Sequence, residues 1–152
     1  MFKLESEEAL IAAFRPKDST RVELPPQLQL PLFVRDYLAW SHPAGGRVYL
    51  VFAVPGGVPT GIVLEGNSGS AVPAMCDWCH CSSVGTGVGL LTAQLNAKKR
   101  VGVHVCSDLS CKKKLEEEAD RSGRSVLPAM EKLIARMGRF ASQALQIDLA
   151  RR

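Results

Sequence analysis

Two short cysteine pairs constrain this chain more than any other feature. Cys76 and Cys79 are separated by two residues, Cys106 and Cys111 by four, and 26 residues lie between the pairs. The amino terminus, Met1-Phe2-Lys3-Leu4-Glu5-Ser6-Glu7-Glu8, carries acids where an export signal carries bases, and it lacks an apolar h-region. Thiols in such a chain are expected to stay reduced, and five cysteines is an odd number for a disulfide framework. Two thiolates on a two-residue spacing grip one metal ion from a tight knuckle, with both sulfurs and the backbone amides aimed inward. The second pair falls where a strand pattern gives way to a helix pattern. There the N–H groups and dipole of a helix start stabilise thiolate charge. Four soft sulfurs select tetrahedral zinc over calcium or magnesium, which take oxygen ligands. With four protein ligands no position is left for water, so the predicted site is one structural Zn2+ held by Cys76, Cys79, Cys106 and Cys111.

Uncoordinated buried thiols, an iron–sulfur cluster and redox chemistry are the alternatives. A thioredoxin-like reading of the first pair lacks the βαβ pattern it needs. Cys81, His80 and His104 are further potential ligands. Cys76 with Cys79 makes the better knuckle, so Cys81 is read as an ordinary thiol. His80 is read as packing over the knuckle, and His104 as a strand residue just before Val105-Cys106. Knuckle, β-hairpin and a helix carrying the last ligands together form the layout of a treble-clef zinc finger.

The rest of the chain supplies a conventional core. Ser6 is predicted to cap a short helix with Leu10, Ile11 and Phe14 on one face, stopped by Pro16. A second helical spacing follows Pro31, through Phe33, Val34, Tyr37, Leu38 and Trp40. Arg47 to Val54 reads as a strand buried between layers, with Val48, Leu50, Phe52 and Val54 on one side and Tyr49, Val51 and Ala53 on the other. A Pro55-Gly56-Gly57 turn leads to a second strand, Thr60 to Glu65. Gly66 to Ala71 is predicted to be a flexible connector. Val88 to Ala93 and Val101 to Val105 read as the zinc hairpin, and Leu109 to Arg121 as a helix ending near Gly123. A last helix, capped by Ser125, places Val126, Met130, Leu133, Met137, Phe140 and Ala144 at helical spacing.

Apolar residues make up 46% of the 152 and charged residues 22%, so a core forms without help from a metal, and zinc would organise one region only. The net charge of +4 fits an acidic partner, protein or RNA. No apolar run approaches the roughly 20 residues that span a membrane, and a cytoplasmic location is expected. Lys112, Lys113 and Lys114 are followed by Glu116, Glu117 and Glu118, and the two runs are expected to pair along a solvated helix. Trp78 is expected to pack against the last helix. The apolar face of that helix closes the core; a monomer is expected, with a dimer seam on that face as the alternative.

These residues carry a family resemblance. Cys76-x-x-Cys79, Gly87-Val88-Gly89-Leu90-Leu91 and Val101 to Cys111 resemble the treble-clef domain of elongation factor G-binding (FBP) proteins, a family that includes the fusidic acid resistance proteins of the FusB type. The likeness is strongest from Cys76 to Cys111 and extends more loosely through Leu38-Ala39-Trp40 and Arg47 to Glu65. It implies a protein that binds elongation factor G; the resistance members help release that factor from ribosomes stalled by fusidic acid. Those members carry a helical bundle ahead of the zinc domain, for which this chain has no room, so resistance activity is not part of the expectation. In the resistance proteins, basic and aromatic residues near the second strand of the zinc hairpin contact the factor. The corresponding residues here are Lys98, Lys99 and Arg100, with His104 at the aromatic position. A solvated hairpin tip explains the basic run equally well.

The expected fold is therefore α+β: a small antiparallel sheet with flanking helices and a treble-clef zinc finger, without the helical bundle. It forms one domain over residues 1–152, with a helix and hairpin portion at 1–70, the zinc finger at 73–124 and a C-terminal helix at 125–150. The expected function is a non-enzymatic binding module for elongation factor G on the ribosome, since neither a P-loop, nor a Gly-x-Ser-x-Gly turn, nor an open metal site is present. The alternative is a zinc finger that binds ribosomal RNA directly.

Overall fold

The computed structural model of the chain describes the backbone of residues 1–66, 70–85 and 87–150, and the side chains of these residues except 70–74 and 82–85. Its centre is a five-stranded antiparallel sheet in the order β3-β4-β5-β8-β9. The strands are β3 (Tyr37–Ser41), β4 (Arg47–Phe52), β5 (Thr60–Glu65), β8 (Val88–Asn96) and β9 (Lys99–Cys106). The predicted hairpin is present: β4 and β5 pair from Arg47↔Glu65 to Phe52↔Thr60. The predicted two-sided burial of the first strand also holds. Val48, Leu50 and Phe52 enter one core, while Tyr49 and Val51 enter another on the opposite face.

The segment after Pro31 departs from expectation. It is not a helix but two strands, β2 (Leu32–Val34) and β3. The apolar residues from Phe33 to Trp40 satisfy a helical spacing, yet they are aromatic and β-branched types that suit a pleated surface, and β4 offers a free edge. Pairing Tyr37↔Phe52 puts Tyr37 and Ala39 into the first core and Leu38 and Trp40 into the second. A short strand, β1 (Phe2–Leu4), pairs with β2 and carries no clear signal in the sequence.

Helix α1 (Glu7–Ala12) starts as predicted, with Ser6 Oγ accepting the Ala9 N–H at 3.2 Å. It ends at Ala12, before Pro16 as expected, and Pro16 then opens a second short helix, α2 (Pro16–Ser19), where its missing N–H is harmless. This layer packs Leu4, Leu10, Phe14 and Val34 on Tyr49, Val51 and Val63, with the Phe14 ring edge-on to Trp40 and Tyr49 at 6.3 and 6.5 Å. It covers only the β3–β5 half of the outer face. On the β8–β9 half Leu90, Gly102 and His104 remain exposed.

The inner face is closed by α4 (Leu127–Arg139) and a π-helical turn, Phe140–Ala144, which bury Met130, Leu133, Ile134, Met137 and Ala141. The N-cap position of this helix is Val126 and not the predicted Ser125, which stands one residue earlier and accepts the Leu127 N–H on its Oγ at 3.2 Å. Helix α3 (Cys111–Ser122) ends at Gly123, whose φ of 68° is the left-handed geometry of a helix terminus. Strands β6 (Ser70–Met75) and β7 (Ser82–Gly85) form a separate two-stranded ribbon. Of the expected connector, residues 67–69 lie outside the described residues, while Ser70 and Ala71 belong to β6. Among the described residues no helix is long and apolar enough to cross a membrane.

Gly61 marks where the outer layer presses hardest on the sheet. A Cβ there would lie 2.6 Å from the Phe14 ring. Gly61→Ala is expected to cost about 1–3 kcal/mol by overpacking, read as a lower urea midpoint at unchanged m-value. A midpoint equal to wild type would mean that α1 is not seated on β5 as described.

Candidate metal centre

The ribbon and the hairpin bring the two cysteine pairs together. The knuckle from Cys76 to Cys81 is the loop of the β6–β7 ribbon, closed by Cys76 N–H to the Cys81 carbonyl at 3.0 Å and His80 N–H to the Cys76 carbonyl at 2.9 Å. Within it, the Trp78 and Cys79 N–H groups both donate to Cys76 Sγ at 3.4 Å. Cys106 is the last residue of β9 and Cys111 the first of α3. Between them Leu109 turns the chain at φ 56° and donates its N–H to the Cys106 carbonyl.

All four sulfurs lie within 4.8 Å of one another and all four residues are buried. Cys76 Sγ is 3.7 Å from Cys111 Sγ, and Cys79 Sγ is 3.7 Å from Cys106 Sγ. A tetrahedral zinc with Zn–S bonds of about 2.3 Å requires sulfurs about 3.8 Å apart, so the donor set fits the ion. By themselves four clustered thiols cannot all ionise. Hydrogen bonds from Cys106 and Cys111 hold Cys76 far below the ordinary thiol value, and Cys111 likewise lowers Cys106. Cys106 in turn is the main cause that raises both Cys79 and Cys111. A dication removes this conflict by taking all four as thiolates.

Cys81 is half-buried and donates weakly to the Cys79 carbonyl, at 3.8 Å; it is not one of the four clustered residues. His80 is exposed at φ 61°, and His104 is exposed on β9, so neither side chain joins the cluster. The main chain of His104 does bind the knuckle: Asp77 N–H donates to the His104 carbonyl at 2.7 Å, and His104 N–H donates to Asp77 Oδ2 at 3.2 Å. Asp77 therefore ties knuckle to hairpin. Asp108 bonds within its own turn, accepting the Ser110 N–H at 3.1 Å. Trp78 packs on the last helix as expected, edge-on to Phe140 at 5.9 Å, while Arg136 donates to its carbonyl.

The lysine run behaves differently from expectation. Lys114 Nζ lies 3.2 Å from Cys106 Sγ; burial opposes its charge, but the sulfur holds its pKa above the ordinary lysine value. Lys112 Nζ pairs with Asp36 at 2.6 Å and sits over the Tyr37 ring, while Glu116 and Glu118 pair with Arg35 and Arg121. Cys111, Lys114 and Leu115 share the i, i+3, i+4 face that the ligand turns inward, which is the signal a helical projection offers. Tyr37 completes the link, donating its hydroxyl to the Leu109 carbonyl at 2.6 Å and accepting the Lys112 N–H at 2.8 Å. Strand β3 thereby holds the turn between the last two ligands, a role with no sequence signature.

Of the hairpin-tip residues, Lys98 and Lys99 are exposed. Arg100 is committed to the sheet: it reaches Glu65 at 3.1 Å and Thr92 Oγ1 at 3.0 Å.

Loss of the metal should unfasten the ribbon and hairpin and leave the outer core standing. Cys106→Ser, or chelation, is expected to lower the melting temperature by about 10 °C, as a loss of roughly 3–5 kcal/mol does in a chain this long. Amide exchange should rise first in residues 75–81 and 99–111. Unchanged melting together with no stoichiometric metal would refute a structural zinc. A second outcome concerns Asp36, whose side chain is only 5% exposed. Burial alone would raise its pKa, but Lys112, the Tyr37 N–H and Arg35 hold it below the ordinary aspartate value. A folded value below the unfolded one adds stability that is full above the unfolded pKa and is lost as pH falls through the folded one. Asp36→Asn should therefore flatten the fall in melting temperature below about pH 4; an unchanged acid limb would remove this pair from the stability of α3.

The model for the FBP C-terminal treble-clef zinc-finger family matches residues 7–145, nearly the whole chain. No curated protein matches it. A solved structure described as that of the fusidic acid resistance protein FusC is similar at 20% identity and a TM-score of 0.49, over 74% of this chain and 50% of that one, so this chain spans about half the length of that protein. With four clustered thiols in tetrahedral reach of one another and a family match across both cysteine pairs, the chain belongs to the FBP C-terminal treble-clef zinc-finger family and binds one structural zinc ion.

Proposed function

We propose that the protein is a non-enzymatic binding module for elongation factor G, and that it docks through the uncovered half of the sheet's outer face. Membership of the FBP C-terminal treble-clef family supports this choice of partner. The observation that carries the surface is the pair Leu90↔His104 on β8 and β9: Leu90 is 51% exposed, His104 is exposed beside it, and the Leu90 side chain lies over Gly102, where a Cβ would meet it at 3.0 Å. Apolar surface of this kind beside a rigid backbone is what a protein interface needs at its centre, and Lys98 and Lys99, at the far end of the same hairpin, add positive charge toward an acidic partner. The zinc ion supplies rigidity: Asp77 on the knuckle holds β9 at His104, so the face that meets the partner is pinned from behind. A tetrathiolate ion has no open position for substrate, which accords with a binding role. Such a partner places the protein in the cytoplasm.

Arg100 is a poor probe of this surface, because its replacement would disturb Glu65 and Thr92. Leu90→Asp and Lys99→Glu are the better ones. In titration calorimetry with purified elongation factor G, Leu90→Asp is expected to weaken binding tenfold or more and Lys99→Glu several-fold, both at near wild-type melting temperature. Wild-type affinity in both variants would exclude this face, and no binding by the wild-type protein would exclude the partner.

A further inference from the structure

The fold gathers charge at one corner of the sheet, from three regions of sequence. Arg15 donates to the Gln94 carbonyl and Lys17 to the Leu95 carbonyl, both at 2.5 Å, which docks α2 against the end of β8. Beside them Arg21, Arg47 and Arg100 all converge on the single carboxylate of Glu65. Arg47 Nε remains buried without a hydrogen-bond partner. Lys98 and Lys99 extend the group at the hairpin tip, and Asp18, bonded to Arg15 and Arg21, is the other acid in the cluster. Seven of the chain's 19 Lys and Arg residues are here, with only two of its 15 Asp and Glu. The net charge of +4 that the whole chain carries is therefore concentrated at this corner, and the remainder is close to neutral.

We infer that this corner binds the phosphate backbone of double-helical RNA. The cluster has too many cations for its own acids, and such a surplus focuses potential on a polyanion. Thr92, Gln94, Asn96 and Ala97 lie among the cations, so the corner itself has a polar centre; among the described residues the exposed large apolar side chains are Met1, Phe33, Met75, Leu90 and Leu127, and Leu90, two residues from Thr92 on the same strand face, belongs to the neighbouring surface proposed above. It also lacks an exposed Phe, Tyr or Trp on which an unpaired base could stack, since Trp40 is partly buried against Phe14 and Tyr49. A surface of cations without stacking rings reads backbone and shape, which is how duplex RNA is bound. The choice of RNA over DNA rests on the proposed function, because elongation factor G, the partner proposed there, works on the RNA-rich ribosome.

The test is anisotropy of a fluorescent 20-base-pair RNA duplex titrated with the zinc-loaded 152-residue chain between 50 and 200 mM KCl. Contacts to about four phosphates, one for each of the exposed Lys17, Lys98, Lys99 and Arg100, predict an affinity loss on the order of a hundred-fold across that range. The triple variants K17E/K98E/K99E and K17Q/K98Q/K99Q, checked for wild-type melting, should bind at least tenfold more weakly at 50 mM, with the salt slope reduced by about 2–3. K132E/R139E, on the exposed side of α4, should bind as wild type. Absence of saturable binding at 50 mM, or triple variants that bind like wild type, would overturn the inference. Displacement of the RNA by polyglutamate at equal charge would assign the corner to an acidic protein instead, and tighter binding of a DNA duplex would overturn the assignment to RNA. No elongation factor is present in the assay, so its failure leaves the preceding reading standing.

Discussion

A single four-sulfur clasp decides how the second half of this chain is arranged. Cys76 and Cys79 project from the loop of a two-stranded ribbon, and Cys106 and Cys111 from the junction between the edge strand β9 and helix α3. Trp78 of the knuckle and Val105 and Leu109 of the junction join the main core, and the ion ties the two pieces together beside it. Because binding requires all four ligands in place, its free energy becomes folding free energy for the region. The neighbourhood is matched to the charge it must hold. Lys114 approaches Cys106, the knuckle amides point at Cys76, and Tyr37 fixes the turn between the last two ligands. Outer contacts of this kind orient ligands and lower the cost of concentrated negative charge.

The sheet connects the clasp to the surfaces that meet other molecules. Its inner face is sealed by α4 and the π-helical turn, and half of its outer face by α1, α2 and the β1–β2 pair. The uncovered half belongs to β8 and β9, the strands nearest the zinc. Rigidity and exposure therefore coincide: the edge strand carrying His104 is held by the knuckle through Asp77, which keeps an exposed edge from fraying. Where the outer layer stops, its basic residues meet those of the hairpin tip. The face splits into an apolar patch at Leu90 and a cationic corner around Glu65, two surfaces with different chemical demands.

The metal site was legible in the sequence because ligand spacing is a local property. A two-residue and a four-residue gap, a strand pattern ahead of Cys106 and a helix pattern after Cys111 specify sulfur geometry without reference to the rest of the chain. The β4–β5 hairpin was legible for a related reason: a short continuous run of β-branched, aromatic and other apolar residues followed by a Pro-Gly-Gly turn leaves few other conformations. The segment from Leu32 to Trp40 was not. Its apolar spacing suits a helix and a strand equally, and only the pairing with β4 selects the strand. The lysine run was misjudged as well, since charges four residues apart on a helix were expected to pair with each other, whereas tertiary neighbours at Asp36 and Cys106 claim two of the three lysines.

Sequence alone thus determined which atoms hold the metal, the class of fold around it and the family to which the chain is related. Tertiary structure decided what those atoms are connected to. Arg21, Arg47 and Arg100 stand 26 and 53 residues apart in sequence, and nothing local predicts that they share one carboxylate. The physical reason is the difference in range: coordination and capping act over a few residues of backbone, while the surface charge pattern is set by which distant strands the sheet places side by side.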